Sequence, residues 1–403
     1  ASGNIAVTGV GFQPIGLLLF YTRQTATGFG AGVGFGMSAM SGTAAGVSQG
    51  ANLNCDDNVA TTNTSRYWSP YAFAQQDTAG TGENLHNFTT FDSDGFTLTF
   101  VFGRVTGRIV HYMAFGGADL SNLVFGEGVM PTATGNFSVT GLAFQPELVM
   151  MFSSRHTTAD SGVAVAHFNF GVAKSSTARW ALAVCAADAA TTTATVDAMK
   201  TQRTDSCLVG LTNTAGQDYL ADFVSMDAGG FTMNYSDAPP SAYNFGYLCL
   251  RGGQYAVGSF AKSTGAAPAS QAVTGIGFTP VGVLLESFGL AATTTISADC
   301  EASFGGTDGV TEGSTWFEEQ DAVLNTEANM ATVTDKVLRL ATGPSTIDAE
   351  ADTTSLDSDG FTLNWTTNNA VAAETCYVAF GSTAVAGGPA AGLRTLALTG
   401  VGL

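Results

Sequence analysis

Residues 5–14 read IAVTGVGFQP, and the same phrase returns as FSVTGLAFQP at 137–146 and QAVTGIGFTP at 271–280. A shortened fourth version, LALTGVGL, occupies 396–403. Other landmarks recur in the same order. A Phe-Gly pair stands at Phe35, Phe170 and Phe304, followed by FDSDGFTLTF (91–100), MDAGGFTMNY (226–235) and LDSDGFTLNW (356–365). A tyrosine follows each time, at Tyr112, Tyr247 and Tyr377. Ordered landmarks at near-constant spacing predict three tandem homologous domains of about 130 residues, far longer than solenoid units. The expected divisions are 1–125, 126–260 and 261–390, with 391–403 opening an incomplete fourth copy. Units of this size are expected to own separate cores.

The local pattern within a copy is that of strands. Phe96, Leu98 and Phe100 alternate with Thr97 and Thr99, which puts the apolar side chains on one face. The preceding Asp-Ser-Asp-Gly reads as a tight turn. Pro14, Pro146 and Pro280 are expected at the end of the first strand, where a missing N–H does least harm. The best helix candidate, residues 321–340, is interrupted by β-branched residues. Seven or eight short strands per copy predict an all-β fold of three antiparallel β-sandwiches, jelly-roll-like in form.

Residues 28–37, GFGAGVGFGM, give one strand face no side chains: Gly28, Gly30, Gly32, Gly34 and Gly36 alternate with larger residues. Something must lie close against such a face. Two readings stand, a flat contact inside the domain and a contact with a neighbouring subunit. The terminal phrase raises a similar question, because four VTG-type segments serve three bodies. One strand-length apolar segment is expected to be spare and to lie at a subunit contact, since an unpaired edge is a template for other chains. Residues 395–403 are expected to form a strand with Leu396 and Leu398 buried. With the five glycines, Leu396, Leu398 and Val401 are the candidate interface residues.

Composition restricts the partners. Fourteen Lys+Arg against 33 Asp+Glu give a net charge of −19, which repels nucleic acid and anionic membrane alike. No apolar run approaches the length of a membrane-spanning helix. The six cysteines, Cys55, Cys185, Cys207, Cys249, Cys300 and Cys376, fall mostly at different repeat positions, which favours buried free thiols over a disulfide framework.

Few residues invite a chemical reading. Gly46–Gly50, GVSQG, matches the nucleophile-elbow pattern around Ser48, but an elbow needs a strand–turn–helix context that an all-β chain lacks. Asp92, Asp94, Asp357 and Asp359 have carboxylates set two apart, yet no further calcium ligands follow, and the second copy has Gly229 in the second place. A turn is the better reading. His86, His111, His156 and His167 lack ligand spacing. No catalytic, cofactor or metal residue is assigned.

The phrase VTGVGFQPIGLLLF, with FDSDGFTLNW and YVAFG about a hundred residues on, resembles repeat modules of tailed-bacteriophage virion structural and tail-fibre-like proteins. The resemblance covers the landmark strands of all three copies. It implies a non-enzymatic assembly component, either a capsid decoration, a head-fibre subunit or a tail or fibre part. Such a protein assembles in the host cytoplasm and contacts other virion proteins and copies of itself. The alternative is an adhesin that recognises a host-surface glycan. Ser48→Ala is expected to leave the chain unchanged in any ester-hydrolysis assay; turnover by the parent chain that Ser48→Ala abolishes would overturn this.

Overall fold

The computed structural model describes residues 3–42, 48–77, 81–103, 107–191, 193, 197–214, 216–291, 294–382 and 392–398, with backbone alone at 48–49 and 392–398. The described residues form strands and no helix. The stretch 321–340 supplies the strand Ala328–Val333 and the start of Leu338–Thr342. All pairings are antiparallel, in three sheets of four strands and three of seven.

Each four-stranded sheet contains a VTG strand. Asn4–Thr8 pairs with Gly95–Gly103, Gly135–Thr140 with Gly230–Asp237, and Ala269–Thr274 with Gly360–Asn368. The register is the same three times, setting Val7 opposite Phe96, Val139 opposite Phe231 and Val273 opposite Phe361. The turn glycine before each phenylalanine is obligatory. A Cβ on Gly95, Gly230 or Gly360 would lie within 2 Å of the carbonyl oxygen of the facing valine. Pro14 and Pro280 open the second strand, Pro14–Thr22 and Pro280–Ser287, and Pro146 stands two residues before Leu148–Ser153, so none closes the first.

The seven-stranded sheets are assembled from more than one repeat. Five strands of the first come from the first repeat, ending at Arg108–Gly116 on one side and Thr64–Ser69 on the other. Ser161–Ala164, from the second repeat, adds beyond Thr64–Ser69. Gly392–Leu398, from the C-terminal end, adds beyond Arg108–Gly116. The other sheets repeat the scheme. The second takes Ile296–Ala298 from the third repeat and Asn122–Val129 from the end of the first. The third takes Gly28–Ala31 from the first repeat and Gln254–Ala261 from the end of the second. The exchange is cyclic. Boundaries at 125/126 and 260/261 therefore cut through strands, and each strand so cut belongs to the sheet of the following copy. The described residues hold 33 strands, nine in each repeat's own pair of sheets, against the seven or eight expected, and six added at the sheet ends.

The VTG strands stay within their own copies, so the C-terminal segment is the extra one. It pairs inside the chain, where it closes the cycle against the first repeat.

The second strand of each copy is buried on both faces. Leu17, Leu19 and Tyr21 pack toward the four-stranded sheet, while Leu18 and Phe20 point the other way. Val149 and Met151 alternate with Leu148, Met150 and Phe152 in the same manner. Three cores thus lie between paired sheets. A fourth and larger one is shared by all three repeats, which corrects the expectation of separate cores. Phe35, Phe168 and Phe304, one from each repeat, meet there with ring centroids 5.0–5.8 Å apart.

Phe96, Phe231 and Phe361 are fully buried at equivalent places. Truncating any one to Ala is expected to cost about 3–5 kcal/mol, read from denaturant unfolding. Losses below about 1 kcal/mol at all three would contradict this packing.

Candidate functional site

The features that distinguish this chain from three separate sandwiches are the seams between repeats. At each seam a strand lent to the neighbouring sheet runs directly into a strand of its own sheet. One residue with positive φ makes the crossing: Gly32 (72°), Val165 (73°) and Asp299 (70°). The strand drawn from residues 28–37 therefore breaks at Gly32. Gly28–Ala31 pairs with Ala328–Val333 of the third repeat, and Val33–Ser41 belongs to the first.

The glycine face is covered from within the chain. A Cβ on Gly30 would collide with the Gln24 side chain, on Gly34 with Arg23, and on Gly36 with Tyr21 and Asn52. Gly28 meets nothing within 4 Å. Leu396 and Leu398 lie in the closing strand, opposite Val110 and Arg108 in register, and Val401 lies outside the described residues.

An aspartate latches each seam. Asp57, Asp188 and Asp321 each follow the end of a strand and precede a residue with φ near +57°, namely Asn58, Ala189 and Ala322. Asp57 Oδ1 accepts from the Ala328 N–H (3.1 Å), and Asp188 Oδ1 from the Thr64 N–H (2.9 Å). Asp321 Oδ1 accepts from the N–H groups of Asp197 (2.8 Å) and Ala198 (3.2 Å). Each carboxylate thus holds the first amides of a strand in another repeat, in the same cyclic sense as the lent strands. Two seams add a matching threonine. The Thr326 N–H donates to the Val59 carbonyl and the Thr62 N–H to the Ala190 carbonyl, both at 2.9 Å. Their hydroxyl oxygens accept from the N–H of the same Val59 and Ala190, again at 2.9 Å. Sequence reasoning missed these aspartates, although their spacing of 131 and 133 residues matches the repeat.

The tempting motifs take ordinary places. Asp92 and Asp357 accept from the hydroxyls of Thr97 and Thr362, both at 2.7 Å, across the hairpin. Asp94 accepts from the N–H of Gly9 (2.9 Å) and Gly11 (2.6 Å), and Asp359 does the same for Gly275 (3.1 Å) and Gly277 (2.6 Å). In the second copy both the aspartate and the second glycine are replaced, by Gly229 and Ala143, and there the Leu142 N–H keeps the backbone bond to the Gly229 carbonyl that Val10 and Ile276 make to Asp94 and Asp359. These carboxylates hold turns. Ser48 opens the strand Ser48–Cys55.

All four histidines are buried, and burial holds each imidazole below its usual pKa, His86 at about 4 and His111 and His156 at about 3. Arg155 organises a buried polar network, reaching His167 Nε2 (2.7 Å), the Leu211 carbonyl (3.0 Å), and Asp218 and the Tyr243 hydroxyl (both 3.1 Å). It ties strands of the second repeat together. The six cysteines are buried and free, and burial pushes their thiols up.

One cleft of about 540 Å³ follows the seam between the first and third repeats, lined by Phe29, Asp57, Asn58, Asn325, Glu327 and Asn329. Among the described residues, no group of three or more His, Cys, Asp or Glu side chains is arranged to hold a metal ion. No protein-family model, curated protein or solved structure matches the chain.

Removing a latch should weaken the whole chain. Asp57→Ala, Asp188→Ala and Asp321→Ala are each expected to cost about 1–2 kcal/mol, because a charge-assisted hydrogen bond is lost and a strand-opening amide is left unpaired. Unchanged urea midpoints for all three would show that the seams hold without them.

Proposed function

We propose that the chain is a non-enzymatic virion structural protein of a tailed phage, a capsid decoration, head-fibre or tail-fibre component. On this reading three tandem β-sandwich, jelly-roll-like repeats are wound into one ring. Its partners are other virion proteins and copies of itself, and it assembles in the host cytoplasm. The observation that carries the reading is the cyclic strand exchange. A chain whose sheets, central core and seam latches all cross between repeats is organised as a building block, with its conspicuous side chains spent on holding itself together. The acidic balance supports protein partners over nucleic acid.

A second reading, a glycan-binding adhesin, is favoured by one feature. The cleft along the first and third repeats combines the Phe29 ring with amide and carboxyl groups of Asn58, Asn325, Asp57 and Glu327. Its volume falls in the range of small-ligand sites.

Electron microscopy separates the two. The structural role predicts that purified chain adds to phage particles lacking it, or forms a regular assembly, and gives no signal on a glycan array. A chain that stays monomeric, leaves particles undecorated and binds one glycan class would replace the first reading with the second.

A further inference from the structure

The three seams are not alike, and the difference is one of protons. At the seam joining the second and third repeats, the residue before the latched strand is Asp197; its counterparts are Asn63 and Glu327. Asp197 is 2% exposed. The two aspartates are crossed over the seam, Asp321 Oδ1 accepting from the Asp197 N–H at 2.8 Å and Asp197 Oδ1 from the Ala322 N–H at 3.4 Å, which brings their carboxyls into contact. Two carboxyl groups in direct contact share a proton or repel. Beside them lies Glu319, 1% exposed, whose hydrogen-bond partner is the Cys55 thiol. Its counterparts two residues before the latch aspartates are Cys55 and Ala186, which carry no charge at neutral pH.

We propose that this seam is a proton-dependent latch, closed while the Asp197 and Asp321 carboxyls share a proton and loosened when that proton passes to solvent. Loss of the proton leaves two carboxylates facing each other across the boundary of two repeats, next to a third buried acid. The surroundings offer little relief. The first repeat presents Cys55, with Asp56 beyond it, and the second presents Cys185 and Lys200. The third presents Asp299 and Cys300, and Asp299 Oδ1 already accepts from the Asp321 N–H at 2.9 Å. The Lys200 ammonium is paired with Glu301, and Arg66 and Arg155 reach Cys185 but are bound to backbone carbonyls and Asp218.

Burial, and then the Asp321 contact, push the Asp197 carboxyl up to about 7. An unfolded Asp titrates near 4. Stability from the shared proton is therefore fully present below about pH 4 and is lost as the pH rises through about 7. The seam is tight in mild acid and loosens toward mild alkali. At the other two seams the place of Asp197 is taken by Asn63 and Glu327.

Site-resolved hydrogen exchange tests this. Protection of the Ala198 amide, held by Asp321, is expected to fall at least tenfold between pH 5 and 8 after correction for intrinsic exchange. Protection of the Thr64 amide, held by Asp188, should change by less than threefold. Asp197→Asn should flatten the Ala198 response to the Thr64 level. Equal responses at Ala198 and Thr64 in the parent chain, or a tenfold fall that survives Asp197→Asn, would overturn the proposal. A carboxyl ¹³C titration of the parent chain needs no variant. An Asp197 midpoint near 7 is expected, and one below 5 would overturn it as well.

Discussion

Everything in this molecule follows from three sheets that are apolar on both faces. A sheet with one apolar face is satisfied by a partner sheet, and each four-stranded sheet supplies that partner. The second apolar face, carried by Leu18 and Phe20 in the first repeat and by Met150 and Phe152 in the second, still needs cover. Three such faces turned toward one another cover each other, and the Phe35–Phe168–Phe304 contact is where they meet. Burying a side chain of this size contributes on the order of 1.5–3 kcal/mol. A repeat excised alone would expose a whole sheet face of them.

The strand exchange also moves the sheet edges onto short added strands. A wide sheet ends in unpaired N–H and C=O groups that invite other chains. Here the strands next to each edge, such as Thr64–Ser69 and Arg108–Gly116, are capped by a strand from another repeat. The connection has a cost in backbone geometry, visible in what occupies the crossings. Gly32 tolerates φ = 72° freely, whereas Val165 holds φ = 73° with a β-branched side chain. Such a residue is strained by roughly 1–3 kcal/mol and persists only where its surroundings over-determine it. Pairing on both sides of Val165, to Thr64–Ser69 before it and to its own sheet after it, is that over-determination.

Much of one repeat was legible in the sequence, and little of the strand exchange. The VTG and DGFT landmarks carry their own pairing information: alternation fixes the faces, and the turn glycine fixes the register of Phe96 against Val7. The shared core left a trace in IGLLLF and ELVMMF, where apolar residues run without alternation, the mark of a strand buried on both sides. What covers the second face is not written in such a run, because any apolar surface would serve. The lent strands were harder still. Gly28–Ala31 continues into the strand of its own sheet with a single residue between them, and only the backbone angle at Gly32 tells that the partner changes. The seam aspartates could have been found by asking which acidic residues keep the repeat spacing outside the obvious landmarks.

Fusing three copies in one chain also permits what identical subunits could not. The inner-face position of the second strand holds Phe20 and Phe152 in two repeats and Glu286 in the third. Glu286 is fully buried, neither of its oxygens has a hydrogen-bond partner, and burial raises its carboxyl well above the usual range. In a ring of three identical subunits, one such substitution would bury three acids around a common centre, each adding the desolvation penalty of an unpaired polar group. In the fused chain the same substitution buries one. Its flanks on the sheet are Phe304 and Cys376. Covalent linkage thus separates the requirements of the three copies: symmetry is kept in how the strands pair, and relaxed where a single seam or a single core position can hold an acid that three could not.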